Sequence, residues 1–188
     1  MTPRGANEMT CFHPIKAWRS KEINPSGKRG IVFNEKDGYS DRALTINCGQ
    51  CIGCRLERSR QWAIRCSHEA TFHKENCFIT LTYNDDNLPE DASLDIRHFQ
   101  KFMKRFRKRY SDRSIRFFHC GEYGEKNLRP HYHACIFGFD FPDKRLWTTR
   151  KEHKLYRSAI LEELWPFGYC SVGTLTWESA AYCARYIM

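Results

Sequence analysis

The chain has 188 residues, enough for one ordinary domain with a small appended module and too few for a large two-domain enzyme. Lys and Arg total 31 against 22 Asp and Glu, and the formal charge of +9 favours an anionic partner, nucleic acid first. A membrane is disfavoured, because apolar runs such as Ala134 to Gly138 fall far short of the roughly 20 residues that a spanning helix needs. The start, Met1 to Thr10, is polar with no apolar signal core, so a cytoplasm is the expected location. Of the ten cysteines only Cys48, Cys51 and Cys54 cluster. Cys66, Cys77, Cys120, Cys135, Cys170 and Cys183 lie in apolar or periodic segments, where a reduced thiol acts as a small buried hydrophobe.

In chain order, residues 1–54 read as an irregular N-terminal segment. Pro3, Pro14, Pro25, Gly27, Gly30 and Gly38 punctuate it, and only Gly30 to Asn34 and Ala43 to Asn47 look strand-like. From Arg55 to about His73 there is no Gly or Pro, and Leu56, Ala63, Cys66 and Ala70 share a stripe, which predicts a helix. Cys77 to Tyr83 is a β-rich run, followed by an acidic loop from Asn84 to Asp91. Asp95 reads as the N-cap of a helix ending near Ser111, along which Phe99, Phe102, Met103, Phe106 and Tyr110 recur at spacings of three and four. Strands follow at Ile115 to Tyr123 and His131 to Phe139, joined by the turn-like Gly124 to Pro130. A helix over Leu155 to Trp165 stops before Pro166, Tyr169 to Leu175 is a strand, and Trp177 to Met188 is a helix with Thr176 as cap. Two β-α-β halves joined by a hairpin give an α+β fold, a ferredoxin-like or RRM-like antiparallel sheet flanked by helices. Residues 1–54, with the cysteine cluster, are expected to be integrated with a domain over 55–188.

The run His131-Tyr132-His133 carries the clearest chemistry. On a strand both imidazoles point the same way and can chelate one cation, and the neighbouring strand supplies Glu122 near the hairpin turn. One carboxylate with two imidazoles suits Mg²⁺ or Mn²⁺ with open positions for water or phosphate, and zinc is chemically compatible. An isolated His-x-His pair is as well explained by solvation or core packing; Glu122 tips the balance toward metal. Tyr182 and Tyr186, four apart on the last helix, share a face. Alone they would read as core or rim aromatics. As nucleophiles they face a cost, since a phenol with pKa near 10 is about 0.1% ionised at pH 7, which is roughly 4 kcal/mol. A cation that draws charge off a phosphate offsets it.

Two further groups stand out. Cys48, Cys51 and Cys54 fit thiolate zinc ligands with Cys11 or His13 as a distant fourth, against the alternative of buried reduced thiols. Arg97, Lys101, Lys104, Arg105, Arg107, Lys108 and Arg109 carry seven positive charges with no acid between Ile96 and Tyr110. Such a run serves either as a solvated helix face or as a set of phosphate contacts, and the net charge favours DNA. Arg129, beside the histidines, is suited to clamp a phosphate.

The motifs Phe78-Ile79-Thr80-Leu81-Thr82-Tyr83, Gly121-Glu122-Tyr123-Gly124, Arg129-Pro130-His131-Tyr132-His133 and Tyr182-Cys183-Ala184-Arg185-Tyr186 occur in this order. Together they resemble the HUH endonucleases and, more closely, the replication initiators of the gokushovirus group of the Microviridae, small single-stranded DNA phages. Cys48-Gly49-Gln50-Cys51-Ile52-Gly53-Cys54-Arg55 also looks like that group, so the resemblance covers nearly all of the chain. It implies the HUH nuclease fold and a rolling-circle nickase and strand transferase acting on single-stranded or origin DNA. His131, His133 and Glu122 would hold Mg²⁺ or Mn²⁺, and a tyrosine would cut, stay linked to the 5′ phosphate and free a 3′ hydroxyl. Tyr182 and Tyr186 both match, and two-tyrosine members alternate them; Tyr182 ranks first because Tyr186 is two residues from the end. Family chains usually continue past this helix with lysines that assist the phosphate chemistry. Here Arg185 stands alone in that role, and a shortened chain is expected. No P-loop run is present, so a host helicase and polymerase are the expected partners, in the bacterial host cytoplasm. A non-catalytic, zinc-stabilised DNA-binding module and a related transposase or relaxase are the competing readings.

Overall fold

A computed structural model describes residues 11–124, 127–150 and 152–186, so the polar start Met1 to Thr10 and the last two residues of the expected terminal helix lie outside the described residues. The chain divides into two compact units, Met1–Arg58 and Ser59–Met188. No helix among the described residues is long and apolar enough to cross a membrane.

The first unit corrects the expectation of an irregular lead-in. It holds a three-stranded antiparallel sheet of β1 (Ile15–Ile23), β2 (Arg29–Val32) and β3 (Gly38–Ile46) in the order β2-β1-β3. A tight turn closes the first hairpin, with Asn24 N donating to Lys28 O at 2.9 Å. The ladder escapes a periodicity reading because its strands bury so little: within β1 only Ala17 and Ser20 are buried, which leaves no period-two apolar signal. Helix α1 (Ile52–Thr71) starts three residues before the expected Arg55 and continues into the second unit.

In the second unit alternation and helical spacing resolve as predicted. Strand β4 (Asn76–Tyr83) buries every second side chain, Cys77, Ile79, Leu81 and Tyr83. Helix α2 (Ile96–Arg109) is capped by Asp95, which accepts from Arg97 N at 2.9 Å. It is followed by β5 (Arg116–Tyr123), β6 (Pro130–Phe137), β7 (Arg145–Arg150), β8 (His153–Arg157), α3 (Ala159–Leu164), β9 (Gly168–Gly173) and α4 (Trp177–Tyr186). The sheet order is β5-β6-β4-β9-β8-β7, antiparallel throughout. Its first four strands reproduce the split β-α-β order expected from the sequence, and the β7–β8 hairpin extends the β9 edge.

That hairpin has no counterpart among the expected elements, and the helix over Leu155 to Trp165 is shorter than predicted. Leu155 and Tyr156 belong to β8, and the helix begins only where Ser158 caps it, its Oγ accepting from Leu161 N at 3.1 Å and donating to Asp143 Oδ1 at 2.6 Å. Strand β7 is exposed on both faces, so its side chains carry no burial pattern to read.

The sheet is covered on both faces. On one, Phe99, Phe102, Met103 and Phe106 of α2 and Leu161 and Leu164 of α3 pack with Ile79, Leu81, Tyr132, Ala134 and Ile136. On the other, Ala63 and Cys66 of α1 and Ala180 and Cys183 of α4 pack with Cys120, Cys135 and Phe137. The six scattered cysteines are all buried and free. Phe102 is fully buried at the centre of the larger core. Phe102→Ala is expected to cost about 3–5 kcal/mol in urea unfolding; a loss below about 1 kcal/mol would show that the helix–sheet interface is not the main core.

Candidate active site

The site is built on the face that packs α1 and α4. Strand alternation sends His131 and His133 to this face of β6, and the β5–β6 register sets Glu122 directly opposite His131. Two imidazoles therefore meet one carboxylate: His131 Nε2 lies 2.7 Å and His133 Nε2 3.1 Å from Glu122 Oε1. Helix α4 brings in the third group, Tyr182, whose hydroxyl donates to the same oxygen at 2.5 Å. Ser59, buried on α1, donates to Ala181 O at 3.1 Å and anchors α4 one residue before Tyr182.

The far sides of the imidazoles are fixed as well. His131 Nδ1 lies 2.9 Å from Arg129 O, a pure acceptor, so this nitrogen carries the proton. Neutral His131 then presents a lone pair toward Glu122 Oε1, and two acceptors at 2.7 Å need a cation or a proton between them. His133 Nδ1 is held by Thr80 Oγ1 at 3.0 Å, across the β4–β6 register. A ring nitrogen engaged by a backbone carbonyl or hydroxyl, with the other aimed at a shared point, is the usual support of metal-ligating histidine. Glu122 Oε2 is buried without a hydrogen-bond partner, a costly arrangement that an ion would relieve. The three ligand atoms lie within 4.8 Å of one another, so donor chemistry and geometry both fit a divalent cation.

The electrostatics follow from burial and mutual contact. Burial raises the Glu122 carboxyl, but hydrogen bonds from His133 and Tyr182 outweigh it and hold the group at about 2, so it is ionised at neutral pH. Burial lowers His133, which keeps the ring neutral and able to act as a ligand. Burial and the hydrogen bond to Glu122 raise the Tyr182 hydroxyl above an ordinary phenol. Tyr186, one turn on, is exposed, with ring centroid 5.1 Å from that of Tyr182, and the Arg185 guanidinium stands 6.0 Å from the Tyr182 ring centre. A cleft of about 540 Å³ opens beside Tyr182, lined among others by Phe78, His153, Leu155, Thr176 and Ser179.

The basic residues are distributed differently from expectation. Helix α2 packs on the opposite face of the sheet from Glu122, His131 and His133. Several of its cations are committed to the fold: Arg105 donates twice to Leu164 O (3.1 and 2.7 Å), Arg107 to Ile115 O, and Arg109 pairs with Glu163 at 2.6 Å. Arg97 pairs with its cap Asp95 at 2.7 Å, while Lys101, Lys104 and Lys108 are exposed. Arg129 donates to Tyr83 O at 3.0 Å and pairs with Asp85, tying β6 to the end of β4. In the first unit Cys11, Cys48, Cys51 and Cys54 come together, and His13 is not among them. Sequence reasoning missed Thr80 and Ser59. Thr80 could have been found by pairing β4 against β6, but the contact of Ser59 with α4 leaves no local signal.

Comparison with known proteins agrees with this arrangement. Residues 76–188 match a family of replication-associated proteins of the ORF2 type. The chain is 36% identical to replication-associated protein VP4 of Bdellovibrio phage phiMH2K over 95% of its own length and 57% of the relative's. It is 36% identical to replication-associated protein ORF2 of Spiroplasma virus 4 over 95% of its length and 60% of the relative's. Against replication-associated protein ORF4 of Chlamydia phage 1 the identity is 35%, over 80% of this chain and 40% of that protein. The chain thus spans less than two thirds of these relatives, and no solved structure matches it significantly. With the matched segment running from β4 through α4, and so containing every residue gathered around Glu122, the chain belongs to the ORF2-type family of replication-associated proteins.

Proposed function

We propose that the chain is an HUH-type nickase that cuts single-stranded or origin DNA through Tyr182 and so initiates rolling-circle replication. The observation that carries this reading is the convergence of the Tyr182 hydroxyl and two imidazoles on one buried carboxylate oxygen. In the reaction Tyr182 Oη bonds to phosphorus as the P–O3′ bond breaks. The product is a 5′-phosphotyrosine, and the leaving 3′ oxygen takes up a proton to become the hydroxyl that a polymerase extends. Glu122, His131 and His133 hold Mg²⁺ or Mn²⁺; a bound cation polarises the phosphate and neutralises the Glu122 charge that opposes phenolate formation. Arg129 O and Thr80 keep the imidazoles turned to the site, and Glu122 holds the Tyr182 hydroxyl in place before attack. Tyr186, one helical turn away, is the second nucleophile for the closing transfer, with Arg185 beside both rings to meet the phosphate.

The cleft beside Tyr182 receives the strand next to the nick, with Phe78 and Leu155 offering apolar surface to a base. Helix α2, across the sheet, serves flanking DNA through phosphate contacts from Arg97, Lys101, Lys104 and Lys108. The triple variant Lys101→Ala, Lys104→Ala, Lys108→Ala is expected to weaken binding and to flatten the slope of log affinity against log salt by about 2, while cleavage at saturating DNA is unchanged. An unchanged slope would leave α2 as a solvated face. A host helicase and polymerase complete replication in the bacterial host.

The test is incubation of the full chain with labelled single-stranded origin DNA and Mg²⁺ or Mn²⁺, followed by denaturing electrophoresis. A covalent protein–DNA adduct is expected. Binding without an adduct would favour a non-catalytic DNA-binding module instead.

A further inference from the structure

The first unit contains a second cluster of metal-ligating side chains, which the nicking chemistry does not use. Cys11 precedes β1, and Cys48, Cys51 and Cys54 span the junction between β3 and α1. The β1–β3 ladder brings them together: Ile15 pairs with Ile46, so Cys11 and Cys48 sit just beyond the closing pair. Gly49, at φ +75°, turns the chain between Cys48 and Cys51, and Arg58 Nη2 donates to Gly49 O at 3.3 Å. We propose that Cys11, Cys48, Cys51 and Cys54 bind one zinc ion as a structural tetrathiolate.

The spacing of the sulfurs carries the proposal. All four lie within 4.8 Å of one another, with Cys48 and Cys54 Sγ 3.9 Å apart and Cys11 and Cys51 Sγ also 3.9 Å apart. Four Zn–S bonds of about 2.3 Å in tetrahedral array require sulfur–sulfur edges of about 3.8 Å. Disulfides would bring sulfurs to about 2.0 Å, and all ten cysteines are free. An iron–sulfur cluster, with several irons and sulfides between its cysteines, would hold the sulfurs farther apart.

Backbone donors aimed at sulfur are the second observation. Cys48 N donates to Cys11 Sγ at 3.3 Å, Cys51 N to Cys48 Sγ at 3.3 Å and Phe12 N to Cys51 Sγ at 3.4 Å. Such bonds stabilise a thiolate and pre-orient it as a ligand. The buried thiols of the second unit differ: Cys77 and Cys170 sit inside the apolar core, whereas Cys48, Cys51 and Cys54 are half-buried and outside it.

The unit also needs a staple. Among its described residues the buried positions are Cys11, Ala17, Ser20, Gly38 and Gly53, with no large apolar side chain among them. A sheet with so little core is held by cross-links or metal rather than by hydrophobic burial. Zinc would fasten the two ends of the β1–β3 ladder and the first turn of α1 at one point.

The experiment measures metal content and thiol reactivity of the full chain purified without chelator. One zinc per chain is expected, with four thiols protected from a disulfide-exchange reagent until a strong chelator is added. The double variant His131→Ala, His133→Ala should retain that zinc, which separates this site from the one at Glu122. Cys51→Ser should lower zinc to below about one-tenth of an equivalent. Because that variant can fail to fold, cobalt substitution in the unaltered chain gives an independent readout, an intense thiolate-to-cobalt absorption with the bands of a tetrahedral ion. Metal-free protein with four reactive thiols, two disulfides, or iron in place of zinc would each overturn the proposal.

Discussion

Tyr182→Phe is expected to abolish the covalent adduct, reducing its single-turnover rate by about 10³-fold or more, since no other nucleophile stands on Glu122 Oε1 among the described residues. The fold should survive, because the change deletes one hydroxyl from a half-buried side chain, worth about 1 kcal/mol in thermal unfolding. Tyr186→Phe behaves differently. Its ring is exposed and packs on Tyr182 rather than on Glu122, so the first cut persists and the closing transfer is lost. A normal adduct rate in Tyr182→Phe would remove this residue from the chemistry.

The second large effect is at the imidazoles. His131→Ala takes away a ligand whose tautomer is fixed by Arg129 O, and cleavage should fall by about 10³-fold, the several kcal/mol expected from losing phosphate polarisation. Binding of single-stranded DNA should change little, because the stacking and phosphate contacts lie elsewhere. Mn²⁺ affinity, read by calorimetry or electron paramagnetic resonance, should drop in parallel with cleavage. Equal loss of DNA binding, cleavage and thermal stability would instead make the histidine pair structural.

Much of the second unit can be read directly from residue order. The alternation Cys77, Ile79, Leu81, Tyr83 marks β4, and the spacing of Phe99, Phe102, Met103 and Phe106 behind Asp95 marks α2. Parity alone puts His131 and His133 on one face. What parity does not reveal is register: Glu122 opposes His131 because of the length of the β5–β6 turn, and Thr80 reaches His133 only through β4–β6 pairing. The side of the sheet occupied by α2 is a tertiary fact, and it moves the basic helix away from the triad. Strands β1 to β3 and the β7–β8 hairpin escape such a reading because exposed strands carry no burial period. Cys11 joins its partners only through a ladder that the sequence does not announce.

The proposed chemistry also accounts for a conflict at Tyr182. A phenol raised by burial and by a neighbouring carboxylate is a poor nucleophile in isolation. The same carboxylate is the ligand that cation binding neutralises, so loading of the site and activation of the tyrosine are coupled through Glu122. Glu122→Gln separates the two: its amide still meets the Tyr182 hydroxyl but is a weaker ligand for a hard cation.

The most direct measurement is the location of the protein–DNA bond. The adduct formed in a single turnover is digested with nuclease and protease, and the modified peptide is sequenced by tandem mass spectrometry. The expected result is a nucleotide joined through its 5′ phosphate to Tyr182; modification at another residue, or no modified peptide, would contradict it.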